Sequence, residues 1–293
     1  MRATVDETLR VRSFIAIVLG AAAAALFALS TSLQAIEARE TPRAEALRVD
    51  LIERLLRRPR WLLGTAAGIA AWPLQAVALA FGSIALVQPT FGFGLVMLLV
   101  LAVFMLGERV GRRELAGVVA IVAAVGILGW AAPHTTGSFT HAGFVVVIAW
   151  VAVAALAPQA LRLVNHRGGL ATSIAAGVGW SAVGLATAAF DQDLSDRHWL
   201  LALAWAIGVG AASWGGLLSE MTSLQCWPAT RAVPIAFSLE MVAPAAVAPA
   251  ITHHGAGPAG GVPFALALLV ACVGVALLGG SHKVTRSVSL TEP

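Results

Sequence analysis

Residues 95–117 read LVMLLVLAVFMLGERVGRRELAG, joining one of the most apolar stretches of the chain to its densest knot of charge. Leu95 through Leu106 carry no charge, and Glu108, Arg109, Arg112, Arg113 and Glu114 then arrive within seven positions. The 47 residues that follow, 115–161, contain no Asp, Glu, Lys or Arg. An apolar run, a short charged turn and a second apolar run make a helical hairpin whose turn lies in water.

The rest of the chain has the same character. Of its 293 residues 59% are apolar and only 12% charged, with a mean hydropathy of +0.85. Soluble domains carry about 25% charged residues, so this chain lacks the charge to cover a water-facing surface and is expected to be an integral membrane protein. A hydrocarbon core about 30 Å thick needs about 20 apolar residues of helix. Nine windows qualify, near 14–35, 61–81, 84–106, 115–132, 143–161, 170–190, 199–219, 231–251 and 263–280. They are rich in Ala, Gly, Leu and Val without period-2 alternation, which predicts helices and not barrel strands. The expected fold class is all-α: a polytopic bundle of about nine transmembrane helices.

Arginine distribution orients the bundle. The segment 36–60 holds seven arginines, the 104–117 knot three, the 162–169 link Arg162 and Arg167, and the eighth window opens on Arg231. The links near 82–83, 133–142 and 252–262 hold none, and 191–198 has Arg197 beside three aspartates. This alternation predicts a plasma (inner) membrane protein with a cytoplasmic C-terminus and an outside N-terminus. Arg2, Arg10 and Arg12 oppose that placement, and a cleaved signal peptide ending near Ser30 is the alternative to a retained first helix. Trp61, Trp130, Trp199 and Trp227 fall at helix ends, as an interfacial belt requires, while Trp72, Trp150, Trp180, Trp205 and Trp214 fall inside windows. In the segment 41–58, Leu47, Leu51, Ile52, Leu55 and Leu56 share a face, and Asp50–Arg54 and Glu53–Arg57 stand at i,i+4 spacing. That pattern predicts an amphipathic helix lying on the anionic leaflet.

A weak repeat divides the chain at about residue 133, into 1–133 and 134–293. AIVAAVG (120–126) aligns with LLVACVG (268–274), and an offset of 145 pairs Leu79 with Leu224 and Pro89 with Pro234. The aligned windows run in opposite directions across the membrane, the mark of an inverted repeat, here of four plus five helices. Pro89 and Pro234 each free a carbonyl early in corresponding helices, which points to a binding site between the halves, beside the ordinary reading of kinks.

The run ALAFGSIALVQPTFGFGLVMLLVLAVFMLGERVGRRELAGVVAIVAAVGILG (78–129) resembles the end of an EamA-type repeat of the drug/metabolite transporter superfamily. Gly107-Glu108-Arg109 and Gly117 match that family's cytoplasmic turn and following helix. The four-plus-five layout is similar to the NIPA-type magnesium transporter branch. The second half departs from the pattern, with THHGAGPAGG (252–261) where the charged turn is expected. The resemblance implies transport by alternating access, and it covers motifs only over about 60–132.

Ionisable residues inside spans mark functional sites, because a charge at mid-bilayer costs about 2.5–3.5 kcal/mol or more. Glu240 stands nine residues past Arg231, about 13 Å along the helix and near the midplane, on a different face from that arginine. A carboxylate there can bind a proton or a cationic ligand, or serve helix packing when protonated. Glu220, aligned with Gln75 and near the cytoplasmic end of its window, is the second candidate, with interfacial snorkelling and a partnership with Arg231 as its alternatives. Gln75, Gln88, Pro89, Pro234, Trp72 and Trp214 complete the substrate and coupling-ion candidates. Glu108, Arg109, Arg112 and Arg113 are expected to fix topology, with the glutamates satisfying the arginines and nearby helix termini. Asp191, Asp193, Asp196 and His198 read as a solvated acidic turn.

No Walker loop appears, and all seven histidines fall in links or the tail, so no catalytic constellation, metal site or cofactor is expected. The expected partners are membrane lipids and a small-molecule or ion substrate, not nucleic acid, with a homodimer left open. The sequence thus favours a secondary transporter of a small polar metabolite or drug, coupled to protons or the membrane potential. A divalent-cation transporter and a non-transporting scaffold or lipid-handling protein are the alternatives.

Overall fold

The computed structural model describes residues 2–81, 84–131, 138–164, 168–251 and 261–279, and among them no strand element occurs. The helices are α1 (Arg2–Arg39), α2 (Val49–Leu55), α3 (Pro59–Phe81), α4 (Ile84–Leu106), α5 (Arg112–Ala131), α6 (His141–Leu163), α7 (Gly169–Ser195), α8 (Trp199–Cys226), α9 (Ala229–Ile251) and α10 (Gly261–Gly279). Phe14–Arg39 of α1, with α6, α7 and α8, are the four stretches long and apolar enough to cross a membrane; Phe93–Leu106 and Ala265–Leu278 are shorter apolar helices. The protein is therefore an all-helical bundle with four candidate membrane spans among its described residues.

Packing follows one scheme twice. α1 packs chiefly on α3 and α4, and α7 packs chiefly on α8 and α9. α4 lies against α5 as α9 lies against α10, and α6 adds an extra layer on α7 and α8. Small residues allow these approaches, as they do wherever helices associate without a hydrophobic drive. Gly64 and Gly68 of α3 face Ser30 of α1, and Gly216 of α8 faces Gly179 of α7. α5 and α10 run antiparallel: Gly117 lies against Leu278 and Gly274, Ile121 against Gly274, and Ala124 clusters with Ala267 and Ala271.

The α4–α5 turn forms because Gly107 adopts a φ of +65°, a conformation glycine takes without a Cβ penalty. The Glu108 N–H then reaches back to the Ala102 carbonyl at 3.1 Å, satisfying one orphan acceptor at the helix end. Gly111 precedes α5, and its N–H donates to the Glu114 carboxylate at 3.1 Å, which closes the start of that helix.

The segment 41–58 differs from the expected surface helix. A single 3-10 turn, Arg43–Glu45, precedes α2, and Leu47 between them has a φ of 59° that interrupts any continuous helix. Leu51, Ile52 and Leu55 are buried in a cluster with Ala35 and Ala38 of α1, Trp61 of α3, and Leu218, Met221 and Leu224 of α8. Leu56 is exposed. The Leu47 N–H donates to Thr222 Oγ1 at 2.9 Å, and Gln225 Nε2 donates to Thr41 Oγ1 at 2.5 Å. The apolar face thus closes one end of the bundle instead of lying on a leaflet, gaining fixed packing that fluid lipid does not offer. The charged pairs change with it. Arg54 bonds Glu45, Arg48 bonds Asp50, and Arg58 bonds Glu37 and Glu40.

Two of the belt tryptophans are also placed differently. Trp61 is 3% exposed and donates to the Met221 sulfur at 3.3 Å. Trp227 is half-buried against Gly169, at the start of α7. Trp199 is exposed as expected, and the Trp130 side chain lies outside the described residues.

Candidate functional site

Glu240 is the middle residue of α9, and Glu220 lies six residues before the end of α8. Both side chains are half-buried, on helices that pack against each other. Trp180 of α7 completes the group, its Nε1 donating to Glu220 Oε2 at 2.9 Å. Three mutually packed helices therefore carry two carboxylates and one neutral donor, with the donor bonded to Glu220.

Glycines set this meeting. Gly179, just before Trp180, lies so close to Gly216 that a Cβ at Gly179 would press on the backbone of α8. Gly216 is one helical turn before Glu220, so the crossing delivers the indole to the carboxylate. On the other side of α7, a Cβ at Gly177 would stand 2.6 Å from the Ala236 carbonyl oxygen, one turn before Glu240. The sequence AAGVGW (175–180) thus fits α7 between α8 and α9 while its tryptophan spans to the acid.

Of the two readings of Glu220, the partnership with Arg231 does not form. Arg231 instead bonds Glu114, with Nη2 at 2.8 Å and Nε at 3.2 Å from Oε1. The indole answers Glu220 from a helix 40 residues earlier in the chain. Among the described residues Glu240 has no ion-pair or hydrogen-bond partner. Of the other candidates, Gln75 is half-buried on α3 and Pro234 is buried on α9. Trp72 is 62% exposed and Trp214 lies at the edge of exposure. Gln88 and Pro89 belong to α4, and their side chains lie outside the described residues. Trp180 is one of the five tryptophans that fall inside windows, and the Gly-Val-Gly before it marks the close crossing.

The hairpin glutamates act on other partners than the knot's own arginines. Glu108 accepts from the Ala229 and Thr230 N–H groups at 2.7 and 3.0 Å and from Arg39. Arg109, Arg112 and Arg113 are exposed. The link after α7 is also less solvated than expected. Asp193 is 4% exposed and accepts from Trp205 Nε1 at 2.9 Å, with His198 Nδ1 at 3.2 Å. Those bonds tie the end of α7 to the start of α8. Trp150 Nε1 donates to Ser181 Oγ, and Gln34 Nε2 donates to Thr65 Oγ1, so these polar groups serve helix contacts. His134, His166, His253, His254 and His282 lie outside the described residues, and among the described ones no group of three or more potential metal ligands occurs.

A segment of 116 residues, 40% of the chain, is 31% identical to an uncharacterised protein of Corynebacterium glutamicum, and the match spans 40% of that protein's length. No family model and no solved structure matches the chain.

Proposed function

We propose that the chain is a secondary transporter of nine membrane-spanning helices (all but α2), built as two inverted repeats, 1–133 and 134–293, of EamA-like type. The antiparallel α5–α10 contact and the repeated packing scheme support the inverted repeat. The observation that carries the function is the pair Glu220 and Glu240 on adjacent apolar helices, one held by a neutral indole donor and neither paired with a base among the described residues. Two acids without a countercharge on adjacent apolar helices form a natural site for a proton or a cationic solute. One proton or one cation neutralises the pair, and exchange of the two occupants is what coupled transport requires.

The cargo is a small cationic or polar solute moved against protons or by the membrane potential, in a plasma-membrane protein whose hairpin side faces the cytoplasm. A divalent cation is the second reading, since two adjacent carboxylates suit it as well. Purified protein in liposomes tests both. Solute-dependent proton flux, or divalent uptake, is expected and should be lost in Glu240→Gln with folding intact. Normal transport by Glu240→Gln would remove the site assignment, and no flux across a broad panel would favour a scaffold or lipid-handling role.

A further inference from the structure

Pro228, the residue before α9, has no side-chain acceptor, so the first N–H groups of that helix need a partner from elsewhere. Glu108 supplies it from the α4–α5 turn, accepting from Ala229 and Thr230 with its charge at the positive end of the helix dipole. The same carboxylate binds Arg39 at the end of α1. Glu114 uses one oxygen for Gly111 and the other for Arg231 of α9. The two glutamate side chains are only 6% and 8% exposed. Both acids of one hairpin thus grip the first turn of a helix more than a hundred residues away.

Alternating access requires the two halves to part at each end in turn. At the hairpin end the halves are joined by these two acids and by the apolar cluster under α2. At the opposite end the repeat supplies no counterpart of these residues. The link THHGAGPAGG contains no carboxylate, and Leu86 stands where the 145-residue offset would put the counterpart of Arg231. We propose that Glu108 and Glu114 form a one-sided latch on α9, which keeps the hairpin end shut and must let go of Ala229, Thr230 and Arg231 for that end to open. This rests on the transporter reading above.

The test is a distance measured across the hairpin end. Arg112 and Val164 are both exposed there, on α5 and just beyond α6. Spin labels on Arg112→Cys and Val164→Cys, with Cys226→Ala and Cys272→Ala, would be read by pulsed electron paramagnetic resonance in lipid nanodiscs. Removing both acids, Glu108→Gln with Glu114→Gln, weakens the bonds to Ala229, Thr230 and Arg231 together and should raise the fraction at the longer distance at least about tenfold, the effect of losing even one charged hydrogen bond. The exchanged pair Glu114→Arg with Arg231→Glu should return it toward the parent value, which a merely misfolded variant would not do. An unchanged distribution in the double variant, or an exchanged pair as open as Glu114→Arg alone, would overturn the latch. The outcomes separate from the flux assay: a widened distance without any flux sinks the transporter reading, and normal flux with unchanged distances sinks the latch alone.

Discussion

The molecule buries one pair of carboxylates and half-buries another, and it treats the two in opposite ways. At the hairpin, Glu108 and Glu114 are answered by Arg39, Arg231 and three backbone N–H groups. On α8 and α9, Glu220 has one neutral donor, and Glu240 has no hydrogen-bond or ion-pair partner among the described residues. A buried charge that is fully paired belongs to the architecture, because removing one partner strands the other. A buried acid without a countercharge is costly to keep and is left for something that arrives from outside. On the proposed transporter reading, the hairpin pair holds the fold and the pair on α8 and α9 exchanges.

Substitutions can break this contrast, and the largest effect on stability belongs at the hairpin. Arg231→Ala leaves Glu114 buried beside a lost cation and should cost about 3 kcal/mol, read from chemical denaturation in detergent. Glu240→Gln, measured alongside, should cost far less, since no countercharge is lost. Next comes the crossing that builds the site. Gly179→Ala pushes a methyl group into Gly216 and should cost about 1–3 kcal/mol, while quenching or shifting the Trp180 fluorescence if the indole leaves Glu220. Gly107→Ala meets no neighbouring atom within 4 Å, so its cost is that of the left-handed conformation alone, about 1–2 kcal/mol by thermal unfolding. Smallest of all is Arg109→Ala, on an exposed side chain, which should stay within about 0.5 kcal/mol of the parent. A large loss there would mean that the knot's arginines also hold the fold.

Much of this was legible in the residues themselves. The hairpin could be located because charge is so rare that five charged side chains together define a water-facing turn. Glu240 stood out for the same reason, as a single acid in the middle of an apolar window. What escaped were partnerships between distant segments. Nothing near Glu108 says that its acceptor oxygens serve Ala229, 121 residues later. Glu220 could equally have met Arg231 nearby, until the Gly179–Gly216 crossing brought Trp180 to it. The segment 41–58 has an apolar face that a leaflet or a bundle end would both accept. The choice turned on Leu47, whose positive φ no glycine announces. Hydropathy reports which residues avoid water, and it is silent about which neighbour they choose.

The central claim is that Glu220 and Glu240 work as one exchange site. Its most direct test is initial solute-coupled flux in liposomes for the parent, Glu220→Gln, Glu240→Gln and the double variant. Glu240→Gln should lower flux about 10–100-fold, the worth of one charged contact. The double variant should then lose little more, because residues acting as a unit are not additive. Independent, multiplying losses, or parental flux in Glu240→Gln, would contradict the account.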